Sequence, residues 1–192
     1  GLLRFSEGRF DLVRPGISLF GSFPSATTAS AFDVLAKENK ITQLRPVMNW
    51  KTKIIQIQTL RKGVPVSYGG RYVTKSEGAR IATIPVGYAD GLSRRLSNNM
   101  ELLVKETRVK QVGTICMDMC LIDITNLPDV TMGEEVVIFG SQGKGHIKVE
   151  ELATRAGTIP YEILCGIGKR VPRIYIGDDW AIYCPERHIR SV

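Results

Sequence analysis

Tyr88 stands in the run Pro85-Val86-Gly87-Tyr88-Ala89-Asp90-Gly91, where a strand-like stretch gives way to a turn. Two glycines and an aspartate reach backbone angles that other residues adopt only at a cost. Such a turn can present one large side chain at an edge. A phenol titrates near ~10 in water, and a cationic or hydrogen-bonding neighbour that lowers this value makes it a proton-transfer group. The same run is also what a plain turn with a packed aromatic ring looks like.

Three further runs have chemical uses. In Arg14-Pro15-Gly16-Ile17, backbone N–H groups near a glycine can point at a phosphate, and Arg14 adds a fixed charge with a rigid donor fork. Cys116-Met117-Asp118 lies at a turn between two strand-like stretches, where free backbone N–H groups could hold a carboxylate and Asp118 could orient its neighbours. Pro160-Tyr161-Glu162 puts a tyrosine on the first turn of a helix, within reach of a phosphate or carboxylate. Each run taken alone is equally an ordinary connecting turn or a packed aromatic. Tyr68 and Tyr72, flanking Gly69-Gly70, read as an aromatic pair at a strand edge.

The elements that must position these runs are mostly short strands. Lys51–Leu60 alternates around Ile55, Ile57 and Thr59 as a half-buried strand does. After Val64–Tyr72, which carries Tyr68-Gly69-Gly70, the stretches Arg80–Val86, Glu101–Val104, Lys110–Ile115, Cys120–Ile124 and Glu134–Phe139 read as short strands between Gly, Asn, Asp or Pro turns. Strands in such number without long helices between them predict a mainly β fold, an antiparallel barrel or sandwich. Near the end the period lengthens: Val149–Gly157 and Pro160–Gly166 predict one or two short helices, the first closed by Gly157 and the second opened by Pro160. Arg170–Ile176 reads as a strand and Asp178–Val192 as a tail. At the other end, Phe10–Gly21 reads as a buried strand entering a Pro-Gly turn, Ser25–Lys37 as a weak helix, and Glu38–Arg45 as a connector.

Composition narrows the function classes. At 192 residues and 43% hydrophobic, the chain can bury a core. No apolar run approaches the ~18–20 residues a bilayer crossing needs. The net charge of +7 is spread along the chain rather than interleaved with aromatics, which favours a solvated basic surface over a nucleic-acid face. Four cysteines (Cys116, Cys120, Cys165, Cys184) and two histidines (His146, His188) make no zinc spacing, so no metal is expected and the thiols read as free in a reducing cytoplasm. The opening Gly1–Phe5 has neither Met nor a signal pattern, as expected of a fragment or processed chain.

Taken in order, the motifs resemble the C-terminal half of bacterial alanine racemases. The match runs through Val13–Ile17 with Phe20-Gly21, Val66–Gly69, Pro85–Gly91, Val112-Gly113 to Asp118, and Pro160–Glu162 with Arg170–Arg173, from about Phe10 to Ile176. The resemblance implies that residues 1–45 are the remnant of a (β/α)8 barrel that holds pyridoxal 5'-phosphate, its last strand and exit. Residues 46–192 would be the C-terminal β domain. It implies that Tyr88 is catalytic and exchanges the α-proton on one face of the substrate. Arg14 would face the cofactor's pyridine nitrogen, and Gly16 and Ile17 would contact its phosphate through the backbone. Tyr161 would stand at the phosphate and the site entrance. The Met117 amide would bind the substrate carboxylate, with Cys116 beside it and Asp118 as a gate. The resemblance further implies a cytoplasmic, head-to-tail homodimer whose subunits share each site, interconverting L- and D-alanine for peptidoglycan.

Racemisation in that family also needs a Schiff-base lysine on the first barrel strand. Lys37, Lys40, Lys51, Lys53 and Lys62 fall at positions without such a match, and the barrel histidine beside the tyrosine has no counterpart either. The chain alone is therefore expected to bind cofactor poorly and to be inactive. Two other classes stay in play: a non-catalytic β-barrel that binds nucleic acid, and a dimerisation scaffold that keeps the fold without the chemistry. Preference between alanine and serine is not readable from these residues.

Overall fold

Alternation of apolar and polar residues builds a sheet with one buried face, and here that sheet is antiparallel throughout. The computed structural model describes residues 10–39, 44–177 and 181–184. Its strands are β1 (Trp50–Lys53), β2 (Gln56–Leu60), β3 (Pro65–Val66), β4 (Tyr72–Val73), β5 (Ala79–Ile84), β6 (Glu101–Val104), β7 (Thr107–Val112), β8 (Cys120–Asp123), β9 (Glu135–Gln142) and β10 (Gly145–Ile147). The main sheet has the order β1-β9-β6-β7-β8-β5-β2, with β10 added to β9. β3 and β4 pair separately, and so do β11 (Arg173–Ile176) and β12 (Ala181–Cys184).

The expected barrel or sandwich is an open sheet. Its two end strands, β1 and β2, do not pair with each other; they are consecutive in the chain. Lys51–Leu60 was read as one strand, and it breaks at Ile54-Ile55. There the Ile54 N–H donates to Glu134 O at 3.0 Å and the Ile55 N–H to Thr83 O at 2.9 Å. The chain thus crosses from the β9 edge to the β5 edge, and the sheet curls so that its ends meet at this joint. Ile54, Ile84, Leu102, Leu103, Ile122, Ile138 and Phe139 fill the space enclosed, all fully buried. Burying each such side chain stabilises the fold by roughly 1.5–3 kcal/mol relative to exposure.

Among the described residues the three α-helices fall on the three stretches read as helical. α1 (Ala26–Asn39) is the reading made weak by Thr27 and Thr28. Ser25 caps it, its Oγ accepting the Thr28 N–H at 3.2 Å. Phe32 is buried and its ring lies 5.2 Å from that of Phe23, so packing outweighs propensity. α2 (Val149–Ala156) ends on Gly157 at φ 70, and α3 (Pro160–Gly166) has Pro at its first position, as predicted.

The strand expected over Phe10–Gly21 is not one. Residues 10–15 have no regular structure and Phe10, Leu12 and Val13 are exposed. Gly16–Phe20 is a 3-10 helix, Gly16 having φ 65. A strand needs a row of neighbours to hydrogen-bond, and among the described residues the main-chain bond to this run from another segment is that from the Val47 N–H to Phe20 O at 3.3 Å. This segment is moored instead by Ser22, whose hydroxyl donates to Glu150 Oε1 at 2.5 Å, and by the Phe23 N–H donating to the same oxygen at 3.1 Å. Of the expected connector, residues 38 and 39 end α1 and residues 40–43 lie outside the described residues. So do Gly1–Phe5 and most of the tail, apart from β12.

Candidate active site

The Tyr88 turn is gripped by main chain. Tyr88–Asp90 forms a short 3-10 helix after Gly87. The Tyr88 N–H donates to Cys116 O and the Ala89 N–H to Met117 O, both at 3.0 Å. A side chain on Gly87 would run into those same two carbonyls, which is why the position needs glycine. Asp90 is buried and closes the turn from within, its Oδ2 accepting the Gly87 N–H at 2.8 Å. The Asp90 carbonyl accepts the Gly168 N–H at 2.8 Å, tying the turn to the segment after α3.

Cys116-Met117-Asp118-Met119 is a tight turn closed by the Cys116 N–H donating to Met119 O at 2.9 Å. Its outer amides, Met117 N–H and Asp118 N–H, meet no acceptor among the described residues. Behind it, Ser67 Oγ donates to Thr114 O at 2.7 Å and lies 3.6 Å from Cys116 Sγ. Ser67 itself has φ 63 and ψ −178, a region otherwise reserved for glycine. Gly113 faces Ser67 closely enough that a Cβ on it would stand 2.7 Å from Ser67 Cβ.

Together these turns wall a cleft of about 520 Å3 lined by Tyr68, Tyr88, Arg94, Thr114–Met119. Tyr88 is 45% exposed and Met117 54%, so both residues open to solvent at the same cleft. Tyr88, Cys116, Met117 and Asp118, nominated separately from the sequence, are thus brought together. The cofactor candidates form a second group elsewhere. A Cβ on Gly16 would stand 3.7 Å from the Tyr161 hydroxyl, so these two face one another, while Ile17 is buried. Arg14 is exposed and makes no hydrogen bond or ion pair among the described residues.

Sequence reasoning nominated none of Ser67, Asp90, Arg94, Thr114 or Arg170 as a site residue, although it read Asp90 as a turn former and Ser67 and Arg170 as parts of matching motifs. The Arg170 guanidinium donates from Nε to Asp90 Oδ1 and from Nη2 to Asp118 Oδ1, each at 2.6 Å. Those two carboxylates, Asp90 first, push its proton affinity up further. Arg173 caps the carbonyls of Ile167, Gly168 and Val171. Tyr68 and Tyr72 are not a pair: Tyr68 lines the cleft, whereas the Tyr72 hydroxyl donates to Asp123 Oδ2 at 2.9 Å. No group of acidic, His or Cys side chains suited to a metal exists among the described residues.

Tyr72 gives a pH test of this geometry. Partial burial, then the hydrogen bond to Asp123 and its charge, push the phenol up to about 12. Its folded value exceeds the unfolded ~10. The stabilisation is therefore complete below pH ~10 and lost as pH rises through about 12. Ultraviolet titration should show the last tyrosine step vanish in Tyr72→Phe; superimposable curves would refute the assignment.

The family model described as the alanine racemase C-terminal domain matches residues 47–175. This chain belongs to the alanine racemase family. Alanine racemase 2 of Caldanaerobacter subterraneus subsp. tengcongensis is 50% identical over 166 residues, 86% of this chain and 40% of that protein. The alanine racemase of Halothermothrix orenii is 43% identical over 174 residues, 91% of this chain and 43% of that protein. Among solved structures, the alanine racemase of Bacillus anthracis with bound L-Ala-P superimposes with a TM-score of 0.82 at 37% identity, covering 95% of this chain and 45% of that one. The Clostridium difficile alanine racemase in complex with cycloserine gives 0.75 at 36% identity, over 88% and 42%. The alanine racemase domain described here thus spans about two-fifths of the length of the relatives it matches.

Proposed function

We propose that this chain is the C-terminal part of an alanine racemase, residues 46–192 forming its β domain and residues 1–45 the exit of the cofactor barrel. The observation that carries the proposal is the common cleft of the Tyr88 phenol and the unpartnered Met117 amide. A family match beginning at residue 47 supports the boundary. Tyr88 exchanges a proton at the α-carbon of alanine on one face. The Met117 N–H holds the substrate carboxylate, which fixes the α-carbon relative to the phenol, while Cys116 and Asp118 border it.

Pyridoxal phosphate, when bound, supplies an electron sink for charge developing at that carbon. The chain's residues fit one edge of this group. With no side chain on Gly16, space stays open in front of the Tyr161 hydroxyl, and the Gly16 and Ile17 amides and that hydroxyl would hold the phosphate. Arg14, without a hydrogen-bond or ion-pair partner among the described residues, would face the pyridine nitrogen and keep it unprotonated, because adjacent positive charges repel.

The cleft contains none of Arg14, Gly16, Ile17 or Tyr161. A head-to-tail homodimer, each copy lending Tyr88 and Met117 to its partner's cofactor, joins the two groups. Free thiols at Cys116, Cys120 and Cys165 accord with the cytoplasmic location that the resemblance implies.

Among the described residues, no lysine lines the cleft. Incubated with pyridoxal phosphate and L-alanine, the 192-residue chain should leave optical rotation unchanged beyond the free-cofactor rate. Turnover above that rate would overturn the division of labour between barrel and β domain.

A further inference from the structure

We infer, on the racemase reading of the cleft, that Arg170 is a positioning residue: one guanidinium locks the turn that carries Tyr88 to the turn that carries the Met117 amide. The geometry is specific. Nε meets Asp90 Oδ1 and Nη2 meets Asp118 Oδ1, both at 2.6 Å. The other oxygen of Asp90 holds the Gly87 N–H at 2.8 Å, at the root of Tyr88. Asp118 follows Met117 directly, so its side chain anchors the far side of the carboxylate-binding amide.

The two turns are already joined along one edge by the Tyr88 and Ala89 amides. The β5–β8 pairing of Ile84 with Cys120 holds the strand ends from which both turns emerge. The Arg170 bridge adds a side-chain link between the turns themselves and sets how far the phenol stands from the bound carboxylate. Lysine keeps the charge but lacks the planar fork, so it cannot serve both carboxylates in that geometry. Asp118, expected from the resemblance to act as a gate, acts in this account as the second anchor of the clamp.

The test uses Arg170→Lys and Asp118→Asn, singly and together, in the complete racemase polypeptide, with hydrogen-exchange mass spectrometry alongside kinetics. Expected for Arg170→Lys is a rise in KM for L-alanine of about tenfold, a fall in kcat of at least about tenfold, and faster exchange in segments 85–91 and 116–119 together. Strand β6 should exchange as before. Asp118→Asn should raise KM and add little to Arg170→Lys, because both break one link. Guanidinium ion should restore part of kcat to Arg170→Ala. Unchanged kinetic constants, faster exchange in one turn alone, or a uniform acceleration that includes β6 would each overturn the clamp. Absence of racemase activity in the unmutated complete polypeptide would instead sink the functional reading, with the exchange data still deciding whether Arg170 couples the turns.

Discussion

Replacing Tyr88 with Phe in the complete racemase should lower net racemisation of alanine by about 10²- to 10⁴-fold, the range spanned by a positioned acid–base group. The fold should hardly notice. The phenol oxygen has no hydrogen-bond partner among the described residues and the side chain is 45% exposed, so its removal should change stability by no more than about 0.5 kcal/mol. Loss of activity at unchanged stability separates a chemical role from a packing one. Mirror-image substrates have equal free energies, so net conversion must slow equally in both directions. The asymmetry is visible only in exchange of the α-hydrogen with solvent deuterium. One enantiomer should keep rapid exchange through the opposite face while the other loses it. Wild-type exchange in both would show that Tyr88 carries no proton, and the scaffold alternative would then be preferred.

Gly87→Ala should cause a large loss of stability for a single added methyl. The new carbon would collide with the Cys116 and Met117 carbonyls, which are backbone and cannot swing aside as a side-chain tip would. Relief requires parting the two turns and with them the bonds from the Tyr88 and Ala89 amides. Forced overpacking with loss of such bonds costs about 2–4 kcal/mol. In a domain of this size that lowers Tm by roughly 5–15 °C. Gly166→Ala is the matched control, since an added carbon there meets nothing within 4 Å. Calorimetry showing equal, small shifts for both variants would mean that the turns part easily and that the grip on Tyr88 is loose.

What was readable in the sequence was local. Gly87, Asp90 and Gly91 announce a turn, Pro160 a helix start and Gly157 a helix end, because backbone preference alone decides those features. Five motifs in order then pointed to the family. What was not readable depends on residues distant in the chain. Arg170 meets Asp90 across 80 positions and Asp118 across 52, and no spacing rule links them. Ser67 looks like any strand-end serine, and neither its left-handed backbone nor the close approach of Gly113 is announced by its neighbours in sequence. Phe10–Gly21 was misread because an apolar run resembles a buried strand wherever it lies, whereas pairing needs a partner that the run cannot specify. The single strand expected over Lys51–Leu60 hid the joint at Ile54-Ile55, because alternation continues through a bend that only the neighbouring strands impose.

The hold on Tyr88 is made by the main-chain oxygens of residues 116 and 117, and both residues border the cleft. Cysteine and methionine could therefore be exchanged for other residues without disturbing the hinge that seats the phenol. On the proposed racemase reading, selectivity towards differently sized amino acids is free to drift at these two sites while the proton-handling apparatus persists, an arrangement under which new substrates can be explored without first dismantling the old chemistry.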